Sequence, residues 1–257
     1  MHHLIKMPAV VSDRYGPVPY FCGKTACEGL LRSQAAVLGI ELVVLQPGAI
    51  FGPWGESGWC TLFAKTEQDP KMVGIPGSST FVDARDLAGA FVAAADVGAG
   101  AGEAYLIGGT NATNLELQRE IAQLVGVPAP ARALPPKLLM LLARWNEALL
   151  SLPSVPFHAL RFKPDAIGHP WLVGKLTQDQ TAECARAKEL LGLRPRPLAE
   201  MLAENYRHLT NAGICSGAGG TVAKPRGLSV GWFWLIAVVA LAASLRLGSA
   251  STEFAVG

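Results

Sequence analysis

An α/β fold is predicted by three blocks that alternate in character over the first ninety residues. A helical run holding Tyr20 and Lys24 is closed by Gly39. Ile40-Glu41-Leu42-Val43-Val44-Leu45 then reads as a buried strand, being short, apolar and partly β-branched. It ends at Gln46-Pro47-Gly48-Ala49-Ile50-Phe51-Gly52-Pro53, a loop dense in Pro and Gly. Thr80-Phe81-Val82-Asp83-Ala84-Arg85-Asp86-Leu87-Ala88 opens another helix. Open α/β sheets hold ligands beyond the carboxyl ends of their strands, so the loop after Leu45 is where a site is expected.

In Pro19-Tyr20-Phe21-Cys22-Gly23-Lys24 a phenol and an ammonium stand four residues apart. On a helix that spacing puts both on one face, one turn above the other. The nearby positive charge favours the ionised phenol and lowers its pKa toward working pH. A tyrosine so placed can take a proton from a substrate hydroxyl, or return one, during hydride transfer. The four-residue pattern alone equally describes an ordinary surface pair worth a few tenths of a kcal/mol.

Together, in this order and spacing, the three blocks resemble the extended short-chain dehydrogenase/reductase superfamily, from about Ser12 to about Leu209. The resemblance is strongest to its NAD-dependent epimerase/dehydratase, dihydroflavonol-reductase-like and 3β-hydroxysteroid-dehydrogenase-like branches. It implies the carboxyl-terminal portion of a doubly wound Rossmann-type domain with a mostly helical substrate lobe. It also implies NAD or NADP as cofactor, Tyr20 as the acid/base, and Lys24 as the residue that tunes it and holds the cofactor ribose. The family loop that lies against the nicotinamide maps onto Gln46 to Pro53, so Pro47, Gly48, Ala49 and Ile50 are implied cofactor contacts. Gln46 stands where the family carries arginine, losing a charge, and Phe51 where it carries tyrosine.

The pyrophosphate-binding element of that family, a strand followed by a Gly-x-x-Gly-x-x-Gly turn at a helix N-terminus, has no counterpart here. Gly98-Ala99-Gly100-Ala101-Gly102 lies between a helix and a strand, the reverse order, and reads as a surface turn. Only nineteen residues precede Tyr20, and Ser12-Asp13 matches the polar loop that leads into the tyrosine helix better than a catalytic serine. The expectation is a chain corresponding to the second half of an enzyme, its first half truncated or supplied separately. The resulting function is an NAD(P)-dependent oxidoreductase acting on a CH–OH or ketone group of a small sterol-, flavonoid- or sugar-like molecule. The alternatives are a catalytically inactive remnant or binding module associating with another chain, and a nucleotide-sugar epimerase/dehydratase.

Further elements follow in order. Glu103 to Ile107 is a strand candidate ended by Gly108-Gly109, and Thr113-Asn114-Leu115-Glu116 is a capping box opening a helix to Val125. Pro135-Pro136 starts an apolar run to about Leu152 with seven leucines, expected to be buried, with a membrane or lipid-like substrate as the alternative. Thr177 to Gln180 reads as the cap of a helix ending at Gly192, and Pro197 as the first turn of a last amphipathic helix through about Leu209. His158 and His169 fall in loops and read as surface residues.

This gives residues 1–210 as the partial Rossmann-type domain and substrate lobe, and 211–228 as a flexible linker. Residues 229–247 then form a candidate transmembrane helix, with 248–257 as a tail. Val230 to Leu245 is a sixteen-residue run without charge, about 24 Å of helix against a hydrocarbon core of about 30 Å. Lys224 and Arg226 before it would set the catalytic side on the cytoplasmic face. A net charge of +2 with no basic stripe gives nucleic-acid binding no support. The five dispersed cysteines favour a reducing compartment, and neither their spacing nor that of the histidines suggests a metal.

Overall fold

The structure, a computed structural model, describes residues 19–69, 73–96, 103–150 and 170–217. It is an α/β fold, as expected. Helix α1 (Pro19–Leu38) leads into β1 (Val44–Pro47) and β2 (Ala49–Phe51), followed by a 3₁₀ turn at Gly58–Cys60 and α2 (Thr61–Gln68). Then come β3 (Ser78–Asp83), α3 (Ala84–Asp96), β4 (Ala104–Ile107), β5 (Thr110–Thr113), α4 (Asn114–Val125) and α5 (Pro136–Leu150). The last described elements are α6 (Pro170–Leu176), β6 (Asp179–Gln180), α7 (Ala185–Leu190) and α8 (Leu198–Asn211).

The sheet is built around a fork. β1 pairs in parallel with β4, and the two then part. Beyond Gly48 the first limb becomes β2 and follows β3 in parallel toward Asp83. Beyond Gly108 and Gly109 the second limb becomes β5 and runs antiparallel along β3 toward Ser78, whose other side takes β6. Thr80 and Phe81 sit in the crotch, and three glycines let them in. A Cβ on Gly48 would lie 2.4 Å from the Thr80 carbonyl oxygen, one on Gly108 2.4 Å from Thr80 Cγ2, and one on Gly109 2.4 Å from the Phe81 carbonyl oxygen. Those distances are well inside van der Waals contact, so side chains there would pry the fork apart.

Every residue of β3 is buried. Its side chains alternate between two cores, as strand geometry requires. Phe81 joins Phe51, Phe63, Leu117, Met201 and Leu202 under α2, α4 and α8. Val82 joins Leu87, Tyr105, Ile107, Ala187 and Leu191 between α3 and α7. Each fully buried large side chain of this kind contributes about 1.5–3 kcal/mol.

Local signals set several boundaries as expected. Thr113 caps α4, its hydroxyl accepting from the Glu116 amide at 3.1 Å while the Glu116 carboxylate accepts from the Thr113 amide at 2.8 Å. Gly126 at φ 80° ends that helix, and Gly39 at φ 64° ends α1. Pro197, expected in the first turn of α8, stands at its N-cap one residue earlier.

Other expectations are corrected. Thr80 to Asp83 is the end of a strand, and the helix opens at Ala84, because β2 and β5 capture this segment from both sides. The first strand is Val44–Pro47 and only half-buried, so Ile40 to Val43 precede it. The apolar run α5 buries Leu139 and Ala143 but leaves Leu138, Leu141 and Trp145 exposed, because among the described residues α6 covers one side only. Thr177 to Gln180 leads into β6, and the helix ending before Gly192 begins at Ala185. Asn211 closes α8, and Cys215 is buried against the core, with the Ser216 amide donating to Glu67 at 3.0 Å. Among the described residues no helix is long and apolar enough to cross a membrane, and residues 229–247 and the Gly98 to Gly102 turn lie outside them.

Candidate active site

α1 runs antiparallel to β1, so its amino-terminal end lies toward the carboxyl end of the strand, where the fork begins. One contact fixes this alignment. The Gln46 carboxamide donates to Glu28 Oε2 at 3.2 Å, and Arg32 holds the other oxygen of Glu28 through Nε at 2.9 Å and Nη2 at 2.8 Å. The carboxamide at position 46, uncharged where the resemblance would put arginine, therefore ties the loop to the helix. Lys24 lies one turn before Glu28, about 6 Å further along the axis toward Gly48. Lys24 is exposed, and Tyr20 occupies the helix one turn earlier again.

The four loop residues are placed by different forces. The Gly48 amide donates to the Ile107 carbonyl at 3.0 Å, and its α-carbon is pressed against Thr80. Pro47 and Ile50 are exposed and Ala49 half-buried. Phe51 is buried, packing edge-on to Phe63 and tilted on Phe81, so the hydroxyl a tyrosine would carry there has no place in this core.

A charged clamp holds the far side of the loop, and sequence reasoning used its residues only as a helix start. Asp83 is fully buried at the end of β3, one oxygen accepting from the Arg85 amide at 2.8 Å and from Arg85 Nε at 2.9 Å, the other from Arg85 Nη2 at 2.8 Å. Burial alone would raise the Asp83 carboxyl. The hydrogen bonds and charge of Arg85, with Arg196 nearby, outweigh it and hold the group below the usual carboxylate range. Asp86 receives the Arg196 amide at 2.9 Å and its guanidinium, and Glu200 lies 3.3 Å from Arg196 Nε. The acidic pair in Asp83-Ala-Arg-Asp86 was the available signal. Its cationic partner Arg196 comes 110 positions after Asp86 and could not be read locally.

A cleft of about 280 Å³ opens elsewhere, beside β5, lined by Gly109, Asn111, Ala182, Glu183, Cys184 and Lys188. It contains none of the sequence-predicted site residues. Burial raises the Cys184 thiol there, which makes it a poor nucleophile.

No family model matches the chain. A curated relative, sterol demethylase protein B of Methylococcus capsulatus, is 27% identical over 170 residues, covering 62% of this chain and 47% of the relative. The structure superposes on that of gox2253 with a TM-score of 0.62 at 19% identity, over 79% of this chain and 59% of the other. A nucleoside-diphosphate-sugar epimerase from Pseudomonas aeruginosa gives 0.59 at 23% identity, with the same coverages. A UDP-glucuronic acid 4-epimerase from Bacillus cereus, solved with UDP-glucuronic acid and NAD, gives 0.51 at 21%, over 79% and 57%. The chain thus spans about half the length of its curated relative and under two thirds of these solved chains. Within the described residues the chain shares the Rossmann-like fold of these solved chains.

Proposed function

We propose that this chain is the substrate-side portion of an NAD(P)-dependent oxidoreductase of the extended short-chain type. The alignment of α1 on β1, tied by Gln46 and Glu28, carries the reading, because it brings the Tyr20/Lys24 end of the helix toward the glycine fork at the strand's carboxyl end. In this scheme Tyr20 accepts the proton of a secondary alcohol as a hydride leaves its carbon, and returns it in the reverse direction. Lys24 keeps the phenol acidic and holds the cofactor ribose, while Pro47, Gly48, Ala49 and Ile50 face the nicotinamide. The cofactor supplies the hydride acceptor. The name of the curated relative favours a sterol-like substrate; the solved epimerases favour a nucleotide sugar.

A second reading has its own observation. No residue of α1 with a described side chain is buried, and Leu30, Leu31, Val37 and Leu38 are each at least half exposed. The outer edge of β1 pairs with no strand among the described residues. This is the surface a nucleotide-binding half would cover, so the chain alone would be an inactive remnant or binding module until another chain or a further segment completes it. Residues 229–247 would tether either form to a membrane with the catalytic side in the cytoplasm.

Titrating the full chain with NADH and NADPH, followed by nicotinamide fluorescence, separates the two readings. Binding at micromolar concentration supports the enzyme, and Tyr20→Phe should then abolish turnover while sparing cofactor affinity. Absence of binding supports the incomplete half.

A further inference from the structure

The four residues Gly52-Pro53-Trp54-Gly55 close a β-turn in which the Gly55 amide donates to the Gly52 carbonyl at 3.3 Å. Proline occupies the second position, and the third, Trp54, has φ 65°. A turn with proline second and a positive φ third is one that glycine or asparagine normally completes, because a Cβ is strained there. Trp54 is the one non-glycine residue with positive φ among the described residues. The indole gains little locally in return, since it is 77% exposed.

A second cost falls on the same turn. Asn205 of α8 is fully buried, donates through Nδ2 to the Gly55 carbonyl at 2.9 Å, and leaves Oδ1 without a partner. Buried polar atoms are rarely left so. Gly55 is also locked from below, because a Cβ there would lie 2.6 Å from Cys60 Sγ. On the other flank Gly52 is pressed against Ala84 and the Asp83 carboxylate, at 3.2 and 3.4 Å from the Cβ it lacks. The turn is therefore held from both ends, and the only side chain it projects freely is the strained indole. It stands beyond the carboxyl ends of the parallel strands β2 and β3, the ligand side of such a sheet.

We propose that Trp54 is a substrate-contacting residue, a rigid aromatic plate presented for the flat apolar face of a fused-ring substrate. The inference rests on the oxidoreductase reading for its choice of ligand side. Strain that persists only because its surroundings impose it collects where a group must be pre-positioned. An aromatic plate gains by burying and stacking on the broad apolar face of a fused-ring system.

The test uses the full chain, with androstenedione as the fused-ring ketone probe. Trp54→Gly should leave the thermal midpoint no lower than the parent's, because glycine suits the turn, yet weaken androstenedione binding about tenfold. Trp54→Phe should keep most of the affinity. Equal androstenedione affinity in parent and Trp54→Gly, no binding by the parent, or a midpoint that falls in Trp54→Gly would each overturn the proposal. A parallel NADH titration keeps the two ideas apart. NADH binding without androstenedione binding refutes the role of Trp54 alone; the converse refutes the cofactor reading and leaves Trp54 in place.

Discussion

β3 and α1 flank the same fork and are held in opposite ways. β3 has strands on both sides, a core on each face and a buried carboxylate at its end gripped by Arg85. α1 carries the candidate residues Tyr20 and Lys24 and meets the described fold through the contact of Glu28 with Gln46, with Leu30, Leu31, Val37 and Leu38 open to solvent. The difference teaches where stability and function reside. The residues around β3 are tied by packing and charge on every side, whereas α1 has no buried residue among its described side chains.

The largest break in that contrast should come from Asp83→Ala. It removes the three hydrogen bonds from Arg85 and should cost about 1.5–3 kcal/mol, read from chemical denaturation, since Arg85 and Arg196 are part-exposed and keep Asp86 and Glu200 nearby. Glu28→Ala, which loosens α1, should cost no more than about 1 kcal/mol, and comparable losses at the two sites would remove the distinction. Acid sharpens it further. The Asp83 carboxyl titrates lower in the folded chain than unfolded, so its contribution is full above its ordinary range near pH 4 and is lost as pH falls toward the depressed native value. The Asp83→Ala variant should show a correspondingly shallower loss of stability on acidification.

Next in size is Gly48→Ala, which puts a methyl 2.4 Å from the Thr80 carbonyl where neither strand can retreat cheaply. Overpacking of this kind costs about 1–3 kcal/mol and should accelerate hydrogen exchange in β2 and β5 together, since both limbs leave the same fork. The smallest effect belongs to Leu31→Ser with Val37→Ser on α1. Each should change stability by no more than about 0.5 kcal/mol in the chain by itself. A loss of several kcal/mol there would mean that α1 is already covered.

What could be read along the chain was whatever is local. The Thr113/Glu116 box, the glycine ends of α1 and α4, and the four-residue step from Tyr20 to Lys24 each lie within one or two helical turns, and the helix boundaries came out accordingly. The fork could not be read, because Gly48, Gly108 and Gly109 acquire meaning only through their approach to Thr80 and Phe81. The same long-range pairing turned Thr80 to Asp83 into strand against its local reading as a helix start. In the site, the anchor from Gln46 to Glu28 spans 18 residues and the clamp from Asp86 to Arg196 spans 110, both beyond any motif. Spacing therefore singled out candidate residues and concealed what positions them.

The outer edge of β1 has one more consequence. Val44 and Gly48 direct their amides to β4, so by strand alternation Leu45 and Pro47 are the residues that look outward. Proline has no amide hydrogen to offer, which leaves Leu45 as the single outward donor in this strand. An incoming strand would find its ladder broken after one rung. Repeated addition of like strands, the route from an open sheet edge to fibrils, is therefore blunted by the same proline that begins the candidate cofactor loop.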